Sequence, residues 1–312
     1  MSTIIVGVDG TDRSADALSF AARLARSARG SLVLANAYPY DDAVARLDTE
    51  LRHRLREAAE RSLDRMRRQV PPGIPVTTRT IADRSPARAL HTLAVREHAS
   101  LVVLGSSHRG TAGRVVVGTT AERLLHGAPC PVAVVPRGAS PGSLDTVVAG
   151  WDARPESAAA LDAATAVAQA SGARLRVVQV LDATWLSQPE RAAWPGLIAD
   201  PRTHERSARD RLEQVVAGLP PAVRAEALIV HDEPARALAA QSEDADLLVL
   251  GSRGYGPHRA VLLGSVSARA VRASACPVIV VPRGVSAPLE DLFRPSMLAR
   301  AMPRAALGSA GP

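Results

Sequence analysis

The 312-residue chain is long for one domain and comfortable for two of about 150 residues each. With 46% hydrophobic and 22% charged residues it has the composition of a soluble globular protein, and no apolar run approaches the ~18–20 residues that cross a bilayer. The net charge of +7 rests on arginine alone, since no lysine occurs, which excludes a lysine-type phosphate loop, a Schiff base and a kinase-type lysine.

The chain enters a strand pattern at once, in "TIIVGV" (residues 3–8), with no basic leader ahead of it, so a cytoplasmic location is expected. "SLVLANA" (31–37), "VTTRTI" (76–81), "SLVVLG" (100–105) and "VAVVP" (132–136) read as further strands. They are short, rich in Val, Ile and Leu, and several are apolar on both faces, as in a parallel sheet covered on both sides. Helical patterns separate them. The clearest puts Leu47, Leu51, Leu55, Ala59, Leu63, Met66 and Val70 on one stripe. Burial against the sheet is the expectation for it, with a partner-binding face as the other reading. The arginines around that stripe alternate with Glu and Asp, and aromatics are only 3%, so nucleic-acid binding is not expected despite a pI near 10.6.

After a seam rich in Gly, Pro and Ser (137–145), the pattern starts again. "IIVGVDGTDRSADALSFAARLA" lies against "VVAGWDARPESAAALDAATAVA", which sets Asp9 on Asp152 and Ser14 on Ser157. "SPARAL" matches "EPARAL", and "APCPVAVVPRG" matches "SACPVIVVPRG", in the same order. The chain is an internal duplication with domains at 1–138 and 145–284. The second copy carries a longer excursion at 182–210, read as a loop, with Trp185, Trp194 and three prolines. Residues 285–312 form a tail expected to be flexible, in which "LEDLFRPSMLARAM" suits a short amphipathic helix. Cys130 and Cys276 sit at matching places and read as buried core residues, with no metal site expected.

Strands alternating with helices predict right-handed crossovers and two tandem doubly wound, Rossmann-like α/β domains. In such sheets ligands bind beyond the carboxyl ends of the strands, where the strand order reverses. Two glycine-rich stretches leave the fourth strand of each copy at that edge: "GSSHRGTAGRVVVGT" (105–119) and "GSRGYGPHRAVLLGS" (251–265). Glycines let backbone approach a ligand, and Gly264-Ser265 opens a helix whose N-terminus suits an anion. If the first and fourth strands are neighbours, Asp152 faces the same crevice, where a carboxylate suits a pair of ribose hydroxyls.

Gly251, two residues, Gly254, nine residues and Gly264-Ser265, together with the Asp152 turn and the "CPVIVVP" ending, resemble the universal stress protein family in its tandem two-domain form. The resemblance covers roughly residues 1–138 and 145–284. It implies five parallel strands per domain in the order 3-2-1-4-5, and ATP, expected with Mg2+, bound with adenine near the first and second strand ends and phosphates on the glycine loop. The implied second-domain site is Gly150, Asp152, Val180, Gly251, Ser252, Arg253, Gly254, Gly256, Gly264, Ser265 and Val266. The implied first-domain site is Gly7, Asp9, Ala37, Gly105, Ser106, His108, Arg109, Gly110, Gly118 and Thr119. There His108 stands where the second glycine belongs; a left-handed backbone at that position would cost a side chain ~1–2 kcal/mol, or about tenfold in affinity. The last strands look like edges through which such domains pair, within the chain or in a homodimer.

No catalytic constellation assembles. Ser252 and Ser265 lack a matching His–Asp pair, and His258 and Asp152 have better readings as a surface residue and a ribose contact. The leading expectation is an ATP-binding stress-response switch or adaptor with a protein partner and no membrane association. A slow ATP-hydrolysing or autophosphorylating enzyme and a ligand-free dimeric adaptor are the alternatives.

Overall fold

The computed structural model describes residues 2–40, 49–106, 117–139, 142–182, 201–252, 264–282 and 289–293. The first copy runs β1 (Thr3–Gly7), α1 (Asp12–Ala28), β2 (Ser31–Tyr38), α2 (Thr49–Arg67), β3 (Val76–Ala82), α3 (Pro86–Arg96), β4 (Leu101–Gly105), α4 (Thr119–Leu125) and β5 (Val132–Val135). The second repeats it: β6 (Thr146–Gly150), α5 (Pro155–Ser171), β7 (Arg174–Leu181), α6 (Pro201–Ala217), β8 (Arg224–His231), α7 (Pro234–Gln241), β9 (Leu247–Gly251), α8 (Ser265–Ala273) and β10 (Val278–Val281). One 3-10 turn, Leu289–Leu292, follows.

Within each copy the strands are parallel in the order 3-2-1-4-5, and β5 pairs antiparallel with β10, so the two sheets join into one of ten strands. The apolar runs explain the layers. Successive residues of a strand point to opposite faces, and here both faces are covered. Ile4, Val6, Leu32 and Leu34 belong to the core under α1, with Leu63 and Met66 of α2, whereas Ile5, Val33 and Val102 belong to the core under α3 and α4. The second copy divides the same way between α5 and α6 on one face and α7 and α8 on the other. At the junction Val134 faces Val278 and Val132 faces Val280 on one side, with Ala133 against Ile279 on the other, so both cores run unbroken through the seam.

Local signals set the helix boundaries. Pro86 and Pro234 occupy the first turn after Ser85 and Glu233, whose side chains accept hydrogen bonds from Arg88 N and from Ala235 N and Arg236 N. The stripe on α2 buries Ala59, Leu63 and Met66, while Leu51 near its start stays 43% exposed. Its charged face carries solvent-exposed Arg56–Glu60 and Arg61–Glu57 pairs one turn apart. The sequence expectation of a loop through residue 210 is corrected, because α6 begins at Pro201. A proline in the first turn and the Glu205–Arg209 pair four residues apart suit that start. Leu289 and Leu292, assigned from sequence to the tail, are fully buried; Leu292 reaches Gly30 in the first copy while the turn packs on α5 of the second. Glu122 and Arg272 form a further link between the copies at 2.8 Å. Cys130 and Cys276 are buried, and desolvation pushes both thiols up to about 12, which leaves them unreactive packing residues.

Helix α1 ends on Arg29 in a left-handed conformation (φ 51°), where the equivalent residue of α5 is Gly172 (φ 71°). A Cβ is unfavourable there. Arg29→Gly is therefore expected to stabilise the protein by about 0.5–1 kcal/mol, read as a higher denaturant midpoint with an unchanged slope.

Candidate functional site

Each copy opens a crevice where its strand order reverses. β1 pairs with both β2 and β4, and β6 with both β7 and β9, so the ends of the first and fourth strands lie side by side. The first crevice has a volume of about 600 Å3 and the second about 470 Å3. Part of the difference is visible in the walls: Ala35 and Ala37 of the first copy are replaced by Val178 and Val180 in the second.

One wall is a locked turn. Beyond β1, the Asp9 amide donates to Ser14 Oγ at 2.9 Å and the Ser14 hydroxyl donates back to Asp9 Oδ1 at 2.8 Å. The Thr11 amide and hydroxyl also donate to Oδ1, at 3.0 and 2.6 Å, and Arg13 lies 2.8 Å from Oδ2. Partial burial pushes the Asp9 pKa up, but these hydrogen bonds and the Arg13 charge outweigh it and hold the carboxyl below its ordinary range. Beyond β6, the Asp152 amide donates to Ser157 Oγ at 3.2 Å, and the Arg154 amide donates to Asp152 Oδ1 at 3.2 Å. Each turn needs one left-handed residue, Gly10 (φ 82°) in the first copy and Ala153 (φ 62°) in the second. About half of each aspartate side chain remains exposed to the crevice and solvent.

The opposite wall is apolar: Leu90 and Leu104 in the first copy, Leu238 and Leu250 in the second. The floor is the strand ends, Gly7 and Gly105 or Gly150 and Gly251. The fourth-strand glycines have a packing reason of their own. A Cβ on Gly105 would lie 2.4 Å from the Arg13 carbonyl oxygen, and one on Gly251 would lie 2.3 Å from that of Glu156. Only glycine lets the first helix of each copy come this near the fourth strand. The last wall is a helix start. α8 is capped by Gly264 with no side-chain bond and has no acidic residue in its first turn, and Ser267 Oγ ties it to the Gly251 carbonyl at 2.8 Å. Gly118, Thr119 and Thr120 stand at the equivalent place in the first copy.

Of the second-domain candidates, Gly150, Asp152, Val180, Gly251, Gly264 and Val266 come together around one crevice, as do Gly7, Asp9, Ala37, Gly105, Gly118 and Thr119 of the first. Three do not. Ser106 and Ser252 are buried; their amides continue the sheet ladder to Val135 O and Val281 O at 2.7 and 2.9 Å, and neither residue lines a crevice. Ser265 is exposed at the helix start and lines none either. Arg253, Gly254, Gly256, His108, Arg109 and Gly110 lie outside the described residues. Sequence reasoning missed the leucines of the apolar wall, although the repeated "PARAL" carried the signal. It also missed Arg13 and Glu156, which side by side in the repeats look like ordinary helix-surface charges. Among the described residues no cluster of His, Cys, Asp and Glu has the arrangement of a metal site.

The sequence matches the Universal stress protein family twice, over residues 1–136 and 143–282. A universal stress protein of Mycobacterium tuberculosis is 31% identical over 295 residues, covering 90% of this chain and 99% of the relative. One from Mycolicibacterium smegmatis is 30% identical over 295 residues, covering 89% and 96%. The crystal structure of a universal stress protein from Archaeoglobus fulgidus superposes with a TM-score of 0.67 at 19% identity, covering 90% of this chain and 98% of that one, and shares the fold.

The packing role of Gly251 is separable from any ligand. Gly251→Ala, and likewise Gly105→Ala, is expected to destabilise the ligand-free protein by about 1–3 kcal/mol, because helix backbone must move to admit the methyl group. Denaturant unfolding without nucleotide checks this; wild-type stability in both variants would mean the glycines answer only to a ligand.

Proposed function

The chain belongs to the universal stress protein family, and on that premise we propose that it is a cytoplasmic stress-response switch whose state is set by an adenine nucleotide, ATP with Mg2+, bound in the crevice of each copy. The observation that carries this reading is the convergence, in one crevice, of an exposed carboxylate, an apolar slot and a helix N-terminus. Each matches one part of a nucleotide. Val178, Val180, Leu238 and Leu250 suit the flat apolar base. Asp152, an acceptor-only group beside the slot, suits the ribose hydroxyls. The uncapped amides at Gly264 and the positive end of α8 suit phosphate oxygens. The family resemblance assigns Arg253, Gly254 and Gly256 to the phosphates as well; they lie outside the described residues.

The proposed role is that of a switch rather than an efficient enzyme. Nucleotide occupancy would then be read by a protein partner or by a second copy of the chain, through segments bordering the crevice. No helix among the described residues is long and apolar enough to cross a membrane.

Asp152→Ala is expected to weaken ATP binding at the second site by about tenfold or more while leaving the unfolding midpoint of the ligand-free protein within a few degrees of wild type. Gly254→Glu is expected to abolish that site. Calorimetric titration of nucleotide-stripped protein measures both. Unchanged affinity in both variants, or no heat with ATP, ADP or AMP in the wild type, would leave the ligand-free adaptor.

A further inference from the structure

The two crevices differ in size at the wall formed by the second strand of each copy. The strand pairing fixes the comparison: Ala35 lies beside Gly7 as Val178 lies beside Gly150, so Ala37 matches Val180 two residues on. All four line their crevice, Ala35 and Val178 buried, Ala37 and Val180 half-buried. Each valine carries two more carbons than the alanine it matches, and the crevice with the alanines is the larger, at about 600 against 470 Å3. The facing leucines do not move in to fill the difference. A Cβ built on Gly7 would meet Leu90 at 3.3 Å and Leu104 at 2.4 Å, and one on Gly150 would meet Leu238 at 3.2 Å and Leu250 at 2.8 Å, so both walls stand at much the same depth. Val8 and Trp151, which also differ in size, belong to the core on the opposite face of the sheet from Val178, Leu238 and Leu250.

Resting on the nucleotide reading above, we infer that the two crevices select different bases: the first admits an adenine nucleotide enlarged by a small alkyl group on its exocyclic amine, and the second takes only the unsubstituted base. The strand order names the edge of the base concerned. A ribose held on Asp9 or Asp152 lies beyond the end of the first strand, and the second strand runs beside the first. A purine joined to that ribose through its five-membered ring turns its far edge, which bears the exocyclic amine, toward the second strand. In the second crevice this edge abuts Val178 and Val180, which clamp the flat base and leave no room beyond it. In the first it faces Ala35 and Ala37, with the space of four missing carbons in between. A plain adenine leaves that space unfilled and forfeits contact there, whereas an alkyl substituent occupies it. Even one carbon more or less in such a pocket shifts affinity by about tenfold or more.

The test titrates the nucleotide-stripped full chain with Mg-ATP and, separately, with N6-propyl-ATP, and counts the sites for each. The wild type is expected to bind N6-propyl-ATP at one site per chain. Ala37→Val is expected to weaken that site by about tenfold or more while ATP still binds, which also reports that the variant is folded. Val178→Ala/Val180→Ala is expected to bind N6-propyl-ATP at two sites. Val180→Ala, at the half-buried position, carries the same test with a weaker second site should the double change unfold the chain. N6-propyl-ATP bound at two sites, or at none, in a wild type that binds ATP would overturn the division. So would a single site indifferent to Ala37→Val, or a folded valine-to-alanine variant that still shows only one. No binding of either nucleotide would instead overturn the nucleotide reading beneath it.

Discussion

The arrangement depends on a backbone contact that only glycine permits. Where the helix after the first strand passes the end of the fourth, its carbonyl oxygen sits where a Cβ would be, against Gly105 in one copy and Gly251 in the other. That approach brings the aspartate turn, which begins the helix, beside the end of the fourth strand. It also brings the start of the last helix within reach, and Ser267 fastens that helix to the Gly251 carbonyl. A carboxylate, an apolar slot and a helix terminus, distant in sequence, therefore share one crevice. A larger residue at this contact would spread all three.

The second constraint is the seam. Pairing β5 with β10 consumes one open edge of each sheet and lets both hydrophobic layers continue from copy to copy. Open edges invite unwanted association, so an internal duplication protects itself where a single copy would need a partner chain. The strands left outermost, β3 and β8, have alternating half-exposed patterns suited to solvent on one side. The buried Leu289 and Leu292 add a crossing contact, since the turn that carries them touches α5 of one copy and Gly30 of the other. The two crevices thus belong to one continuous body.

Much of this was legible in the sequence because buried parallel strands must be apolar on both faces, which leaves runs such as "TIIVGV" and "SLVVLG" with no other reading. The duplication helped, since each weak signal appeared twice. Strand order and the edge on which Asp152 and the glycine stretch meet followed from the family resemblance. Other features were illegible for physical reasons. The serines after Gly105 and Gly251 look like phosphate ligands in a motif, yet the ladder to β5 and β10 continues through them and buries them. The start of α6 at Pro201 hid behind a run of prolines and tryptophans. Arg13 and Glu156 gave no sign in a chain with arginine on nearly every helix, because their meaning lies in the crevice they line rather than in any local pattern.

The central claim is that these crevices hold an adenine nucleotide in a defined orientation. A crystal structure of the nucleotide-stripped chain grown with ATP and Mg2+ tests it most directly. The account predicts the base between Val178, Val180, Leu238 and Leu250, the ribose hydroxyls on Asp152, and the phosphates at the Gly264 end of α8. Nucleotide bound elsewhere, or bound with its phosphates toward the apolar wall, would contradict it.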